Sequence, residues 1–132
     1  MTEEEFQQLA SEEWSQVPER WRSRIENVAL LIEAAPSPEV RESESLGEHD
    51  TLLGLYRGVP NSERGSEYGI GVTLPDTITL YREPILKAAE QDHVSVREVL
   101  RETLWHEIGH YFGFADEELE EREDKGTNAF HN

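Results

Sequence analysis

The stretch Ser95-Val96-Arg97-Glu98-Val99-Leu100-Arg101-Glu102-Thr103-Leu104-Trp105-His106-Glu107-Ile108-Gly109-His110-Tyr111-Phe112 decides how this chain folds. Ser95 with Glu98 three residues later is a capping-box pattern, and Val94 and Val99 occupy the two hydrophobic-staple positions around it. Val96, Val99, Leu100, Thr103 and Leu104 recur at helical spacing and supply a buried face. Gly113 is placed to end the helix in the left-handed conformation. From Val96 to Phe112 such a helix spans about 25 Å, at about 1.5 Å per residue.

The same helix carries chemistry. His106 and His110 are four residues apart, so their imidazoles lie on one face, one turn apart, and can reach a single ion. Zinc accepts histidine nitrogen at about 2.0–2.1 Å, so the pair defines one edge of its tetrahedron. Glu107 stands one position round the helix, where its carboxylate can hold a metal-bound water without being a ligand. Water acidified by the ion is a nucleophile at neutral pH, and Glu107 is the group to take its proton. A third protein ligand is required. A tight reversal at Gly113 would swing Asp116 back beneath the two histidines, and a carboxylate oxygen suits zinc at about 2.0–2.2 Å. Asp116 is also a normal N-cap for an acidic helix over 117–123, and in that arrangement Glu117, Glu120 or Glu121 is the third ligand.

The other residues near the motif read as packing. Trp105 and Phe112 flank it as core material, while Tyr111 either packs or steadies an oxyanion. His49, His93 and His131 have no partner at ligand spacing and read as surface residues. The chain has no cysteine, which excludes thiolate ligands, a cysteine nucleophile and disulfides. Any metal is therefore held by nitrogen and oxygen.

Upstream, Thr2 and Glu5 form another capping box, opening a helix to about Trp14 with Phe6, Leu9, Ala10 and Trp14 inward. Pro18 suits the first turn of a short helix that turns Trp21 and Ile25 inward. Val28-Ala29-Leu30-Leu31-Ile32, Leu52-Leu53-Gly54-Leu55-Tyr56 and Thr77-Ile78-Thr79-Leu80-Tyr81 read as strands. Residues 36–50 are polar, with room for one short helical turn, and Gly58 to Ser66 is turn-rich and expected to be mobile. Glu83-Pro84 opens a helix to about Gln91.

At 132 residues the expectation is one domain, 1–132, with no internal repeat. Twelve basic residues against 29 acidic ones give a net charge of −17. Such a surface repels phosphate backbones and anionic lipid, so nucleic acid and membranes are expected not to be partners, and the charge favours a monomer. The N-terminal Met1-Thr2-Glu3-Glu4-Glu5 lacks the basic and apolar regions of a signal peptide, and Val28 to Ile32 is too short to cross a bilayer. The expected location is cytoplasmic.

The chain resembles a bacterial family of compact zincin-like metallopeptidases. The resemblance runs from Val28 to about Leu119, on Leu53-Gly54-Leu55-Tyr56-Arg57-Gly58, Ile78-Thr79-Leu80-Tyr81-Arg82 and His106 to Glu117. His106, Glu107, His110, Gly113 and Asp116 spell the extended motif of zincins with aspartate replacing the third histidine. The resemblance implies a minimal zincin fold of class α+β: a small mixed sheet of three to four strands packed on a central metal-binding helix. It implies zinc at His106, His110 and Asp116, with Glu107 as general base, and peptide or protein as substrate. Zincins add an extended peptide to a sheet edge, for which Thr77–Tyr81 and Leu52–Tyr56 are the candidates. The chain departs from larger relatives in having Met1 as its only methionine, so no Met-turn underlies the metal. The expected activity is zinc-dependent peptide hydrolysis; the alternative is a zincin-shaped binding or adaptor protein that does not cleave.

Overall fold

The computed structural model describes residues 1–25, 27–58 and 75–112. The elements run α1 (Glu3–Ser15), α2 (Glu19–Arg22), β1 (Val28–Glu33), α3 (Pro38–Ser43), β2 (Gly54–Arg57), β3 (Asp76–Tyr81), α4 (Arg82–Asp92) and α5 (Val96–Tyr111). Helices α1 and α5 begin where their caps place them. Thr2 and Glu5 make both halves of a capping box, and Ser95 Oγ accepts the Glu98 N–H at 3.1 Å. Helix α3 is the short turn expected after Pro36, with Ser37 accepting the Val40 N–H and Pro38 in the first turn, where no N–H is needed.

The three strands form one mixed sheet in the order β1-β3-β2. β1 lies parallel to β3, from Val28 opposite Asp76 to Glu33 opposite Tyr81. β2 lies antiparallel on the other side of β3, from Gly54 opposite Leu80 to Arg57 opposite Thr77. A parallel pair needs a long connection, and here that connection carries α3 and β2 before the chain returns as β3. β3 is thus flanked on both sides, and Ile78, Leu80 and Tyr81 are almost wholly buried. This corrects one expectation. Thr77–Tyr81 cannot be a substrate-binding edge because both its edges are paired, whereas β2 is an edge strand among the described residues.

Helix α5 lies against this sheet and joins two apolar clusters. Its Val99 and Leu100 pack with Phe6, Leu9 and Ala10 of α1, Leu80 of β3, and Ile85 and Ala89 of α4. Leu104 and Ile108 pack with Val17 and Ile78, and with the partly buried Trp14, Trp21, Ile25 and Phe112 around them. Leu100, Leu104 and Ile108 have no exposed surface, and burial of each such side chain contributes about 1.5–3 kcal/mol. The expected inward face of α5 is therefore confirmed at Val99, Leu100, Thr103 and Leu104 and extends to Glu107, Ile108 and Gly109.

Two features depart from the sequence expectation. Val94, expected at a staple position, is 38% exposed. Its N–H donates to Ala89 O, and His93 before it takes the left-handed conformation that closes α4. Glu13, an ordinary-looking helix carboxylate, is 1% exposed. It receives Arg97 Nη1 at 2.9 Å and Arg101 Nε at 2.5 Å, which ties α1 to the outer face of α5.

Candidate metal centre

Helix α5 brings three of the expected site residues together. His106 and His110 are half-buried on one side of it, with ring centres 4.9 Å apart and planes at 79°. Two imidazoles bound to one tetrahedral ion have ring centres about 3.2 Å from it, and therefore about 5 Å from each other. The observed pair fits that spacing. Glu107, between them in sequence, is 7% exposed rather than solvated. A carboxylate that deep needs hydrogen-bond partners, and its Oε1 accepts the backbone N–H of Tyr56 at 3.0 Å.

That bond follows from the sheet topology. Tyr81 N–H donates to Leu53 O, so by antiparallel alternation the N–H groups of Gly54 and Tyr56 point away from β3. The outer edge of β2 faces α5, and Glu107 takes its Tyr56 donor. The approach is close. A Cβ on Gly54 would lie 2.7 Å from Thr103 Cγ2, 3.2 Å from Thr79 O and 3.3 Å from Glu107 Cγ. Only glycine lets β2 come near enough for its backbone to hold the carboxylate.

Further along β2 the aromatic groups brace the far end of the motif. Tyr56 OH donates to Asp76 Oδ2 at 2.7 Å, and its ring meets Tyr111 edge-on at 6.0 Å. Tyr111 also packs edge-on against Phe112 at 5.1 Å, with its hydroxyl 3.4 Å from Arg24 O. Of the two roles open to Tyr111, packing is the one these contacts describe. Phe112 packs on Trp21, as expected of core material. His49 and His93 are exposed. The Tyr81 phenol, behind the site, is pushed above its ordinary value by burial first and then by the charge of Glu33.

Among the described residues no group of three or more metal-ligating side chains forms. His106 and His110 supply two nitrogens, while Gly113, Asp116, Glu117, Glu120, Glu121 and the acidic helix expected over 117–123 lie outside the described residues. His131 and the turn-rich segment after Gly58 lie outside them too. The sequence reading missed the part played by β2. The available signal was Gly54 itself, since a glycine inside a strand pattern marks close backbone approach.

An α+β fold with a histidine pair and a buried glutamate on one central helix defines the class of zincin-like proteins. A family model described as zincin-like metallopeptidase matches residues 25–126, and the chain belongs to that family. Members of the family generally bind zinc. The chain is similar to a conserved hypothetical protein from T. thermophilus whose structure is solved, with a TM-score of 0.56 and 27% identity. That match covers 84% of this chain and 94% of the other. No curated protein matches this chain.

Proposed function

We propose that the protein is a zinc-dependent peptidase in which His106 and His110 hold the ion, Asp116 supplies the third ligand and Glu107 is the general base. The observation that carries this reading is the placement of Glu107: deeply buried beside two imidazoles at ligand spacing, and held by the Tyr56 N–H. Zinc bound there would supply a Lewis acid and lower the pKa of a coordinated water. Glu107 accepts a proton at a carboxylate oxygen and passes it to the amine that leaves when the peptide bond breaks. The Tyr56 N–H fixes the carboxylate's rotamer, so little reorientation is needed at that moment. The outer edge of β2, the other strand considered for aligning an extended peptide, lies against α5 with its Tyr56 N–H held by Glu107, so it is not free to add a substrate strand.

The acidic surface makes nucleic acid and anionic membranes poor partners and favours a monomer. Among the described residues no helix is long and apolar enough to cross a membrane; a cytoplasmic location accords with this reading.

The test is Glu107→Gln assayed with the wild type on a pool of blocked peptides, with zinc content measured on both. Unchanged zinc with a loss of turnover of about 10²–10⁴-fold is expected for removal of a general base. Unchanged turnover in the variant removes the proposed mechanism. A wild type that binds zinc and peptides yet cuts nothing is a binding protein of zincin shape.

A further inference from the structure

Glu107 and Asp76 are buried carboxylates, 7% and 5% exposed, and one residue bonds both. Tyr56 gives its backbone N–H to Glu107 Oε1 at 3.0 Å and its hydroxyl to Asp76 Oδ2 at 2.7 Å. Aspartate is depleted in strands, and a buried carboxylate needs hydrogen-bond partners. The Tyr56 hydroxyl is one such partner for Asp76.

The sheet register makes this reach possible. Tyr56 lies opposite Ile78 and Arg57 opposite Thr77, so continuing the register by one residue sets Gly58 opposite Asp76. Asp76 is then diagonal to Tyr56 on one face, a separation that an aromatic side chain can span. Gly58 leaves room for that span. A Cβ there would lie 2.6 Å from the Tyr56 hydroxyl and 3.7 Å from Asp76 Oδ2. Gly54 and Gly58 thus serve the same residue from either side. The first admits Glu107 to the strand, and the second gives the hydroxyl its path.

The two ends of Tyr56 differ in how firmly their partners are fixed. Asp76 belongs to the central strand, which is paired on both sides, and its N–H donates to Asn27 O at 3.0 Å. β2 has four residues, and its Tyr56 N–H points away from β3. The Tyr56 ring also meets Tyr111 edge-on at 6.0 Å. Glu107 and Tyr111 are one turn apart and share a face of α5, so Tyr56 spans the turn of helix that carries His110. The central strand fixes the hydroxyl, the hydroxyl fixes the ring, and the ring and N–H together set how Glu107 faces the histidine pair.

We infer that Asp76 is a positioning residue for the general base and acts through the Tyr56 hydroxyl. The role given to Glu107 rests on the peptidase reading. The linkage from Asp76 to the Tyr56 N–H does not, and amide exchange reads it without substrate.

The experiment uses zinc-supplemented full-length protein as wild type, Tyr56→Phe, Asp76→Ala, Asp76→Asn, and Tyr56→Phe combined with Asp76→Ala. Tyr56→Phe keeps the ring and the backbone donor and loses the hydroxyl. Kinetics are measured on the blocked peptide that the wild type cuts fastest. Amide exchange is followed by NMR at Tyr56 and at Leu100, which is wholly buried on α5. Tyr56→Phe and Asp76→Ala should each lower kcat about tenfold with KM within about twofold of wild type, less than the roughly 10²-fold that a 1 Å misplacement costs. The combined variant should be no worse than Asp76→Ala alone, because both substitutions remove the same bond. Asp76→Asn, whose amide oxygen still accepts the hydroxyl, should recover most of the loss. Exchange should quicken at Tyr56 by a larger factor than at Leu100 in both single variants that break the bond.

Equal quickening at the two amides with kcat intact assigns the bond to stability alone and overturns the inference. Additive losses in the combined variant overturn it too, as does an Asp76→Asn protein as impaired as Asp76→Ala. A wild type that cuts none of the peptides refutes the peptidase reading. In that case selective quickening at Tyr56 upholds the linkage, and unchanged exchange there overturns it.

Discussion

Replacing Gly54 with alanine tests whether the close approach of β2 to α5 positions the site. The new Cβ would sit 2.7 Å from Thr103 Cγ2, roughly 1 Å inside the usual carbon–carbon separation of about 3.5–4.0 Å. Retreat is blocked on another side by Thr79 O at 3.2 Å, which belongs to the central strand and cannot swing away. Overpacking of this kind costs about 1–3 kcal/mol, which for a domain of this length lowers Tm by about 4–10 °C. Because β2 must back away from α5, the Tyr56 N–H to Glu107 bond should lengthen, and exchange of that amide should quicken. Thr103→Ser removes Cγ2 but keeps the hydroxyl that donates to Val99 O at 2.7 Å. Combined with Gly54→Ala it should restore much of the lost stability, a coupling that a double-mutant cycle of thermal or urea unfolding reads directly. A Gly54→Ala protein with unchanged Tm and unchanged exchange at Tyr56 would refute the reasoning, as would additive effects of the two substitutions.

Other consequences concern the attachment of α1 and the ligand set. Glu13→Ala should destabilise the fold by about 1–3 kcal/mol in urea unfolding. It removes a buried partner of Arg97 and Arg101, and the cost stays below the usual figure for a broken buried pair because both guanidinium groups keep access to water. Acid should weaken the same junction. Hydrogen bonding to Arg97 first, and to Gln8 second, holds the Glu12 carboxyl below its ordinary value of 4.5. A depressed carboxyl contributes stability above its unfolded pKa that is lost as pH falls through the lower folded value. The stability gap between wild type and Arg97→Gln should therefore be widest above about pH 4.5 and narrow toward pH 3. Among Asp116→Ala, Glu117→Ala, Glu120→Ala and Glu121→Ala, zinc titration should single out Asp116→Ala. Its loss of affinity should exceed the roughly 10–100-fold that removal of an outer-shell partner costs; a comparable loss in a glutamate variant would reassign the third ligand.

The parts of the fold that were legible in the sequence are those set by neighbours along the chain. Thr2 with Glu5 and Ser95 before Glu98 fix two helix starts through local hydrogen bonds, and the inner stripe of α5 follows from helical periodicity alone. The spacing of His106 and His110 likewise needs only the helix to bring the rings together. What was not legible depends on contacts between distant segments. Nothing local distinguishes β3 as the central strand from β2 as the edge, because both show compatible strand patterns. The burial of Glu13 requires Arg97 and Arg101, more than eighty residues away. Val94 sits at a staple position by sequence yet stays 38% exposed, after a left-handed turn at His93 that closes α4. The hold of the Tyr56 N–H on Glu107 is invisible in composition because a backbone group makes it, and Gly54 is the trace it leaves in the sequence.

The central claim is that α5 carries a metal site, and its most direct test is the metal itself. Elemental analysis of protein purified without a histidine tag should find near-stoichiometric zinc in the wild type and none in His106→Ala. Wild-type protein that contains no metal and takes up none when zinc is added would contradict the account, and would leave a zincin-shaped scaffold that binds its partners without hydrolysing them.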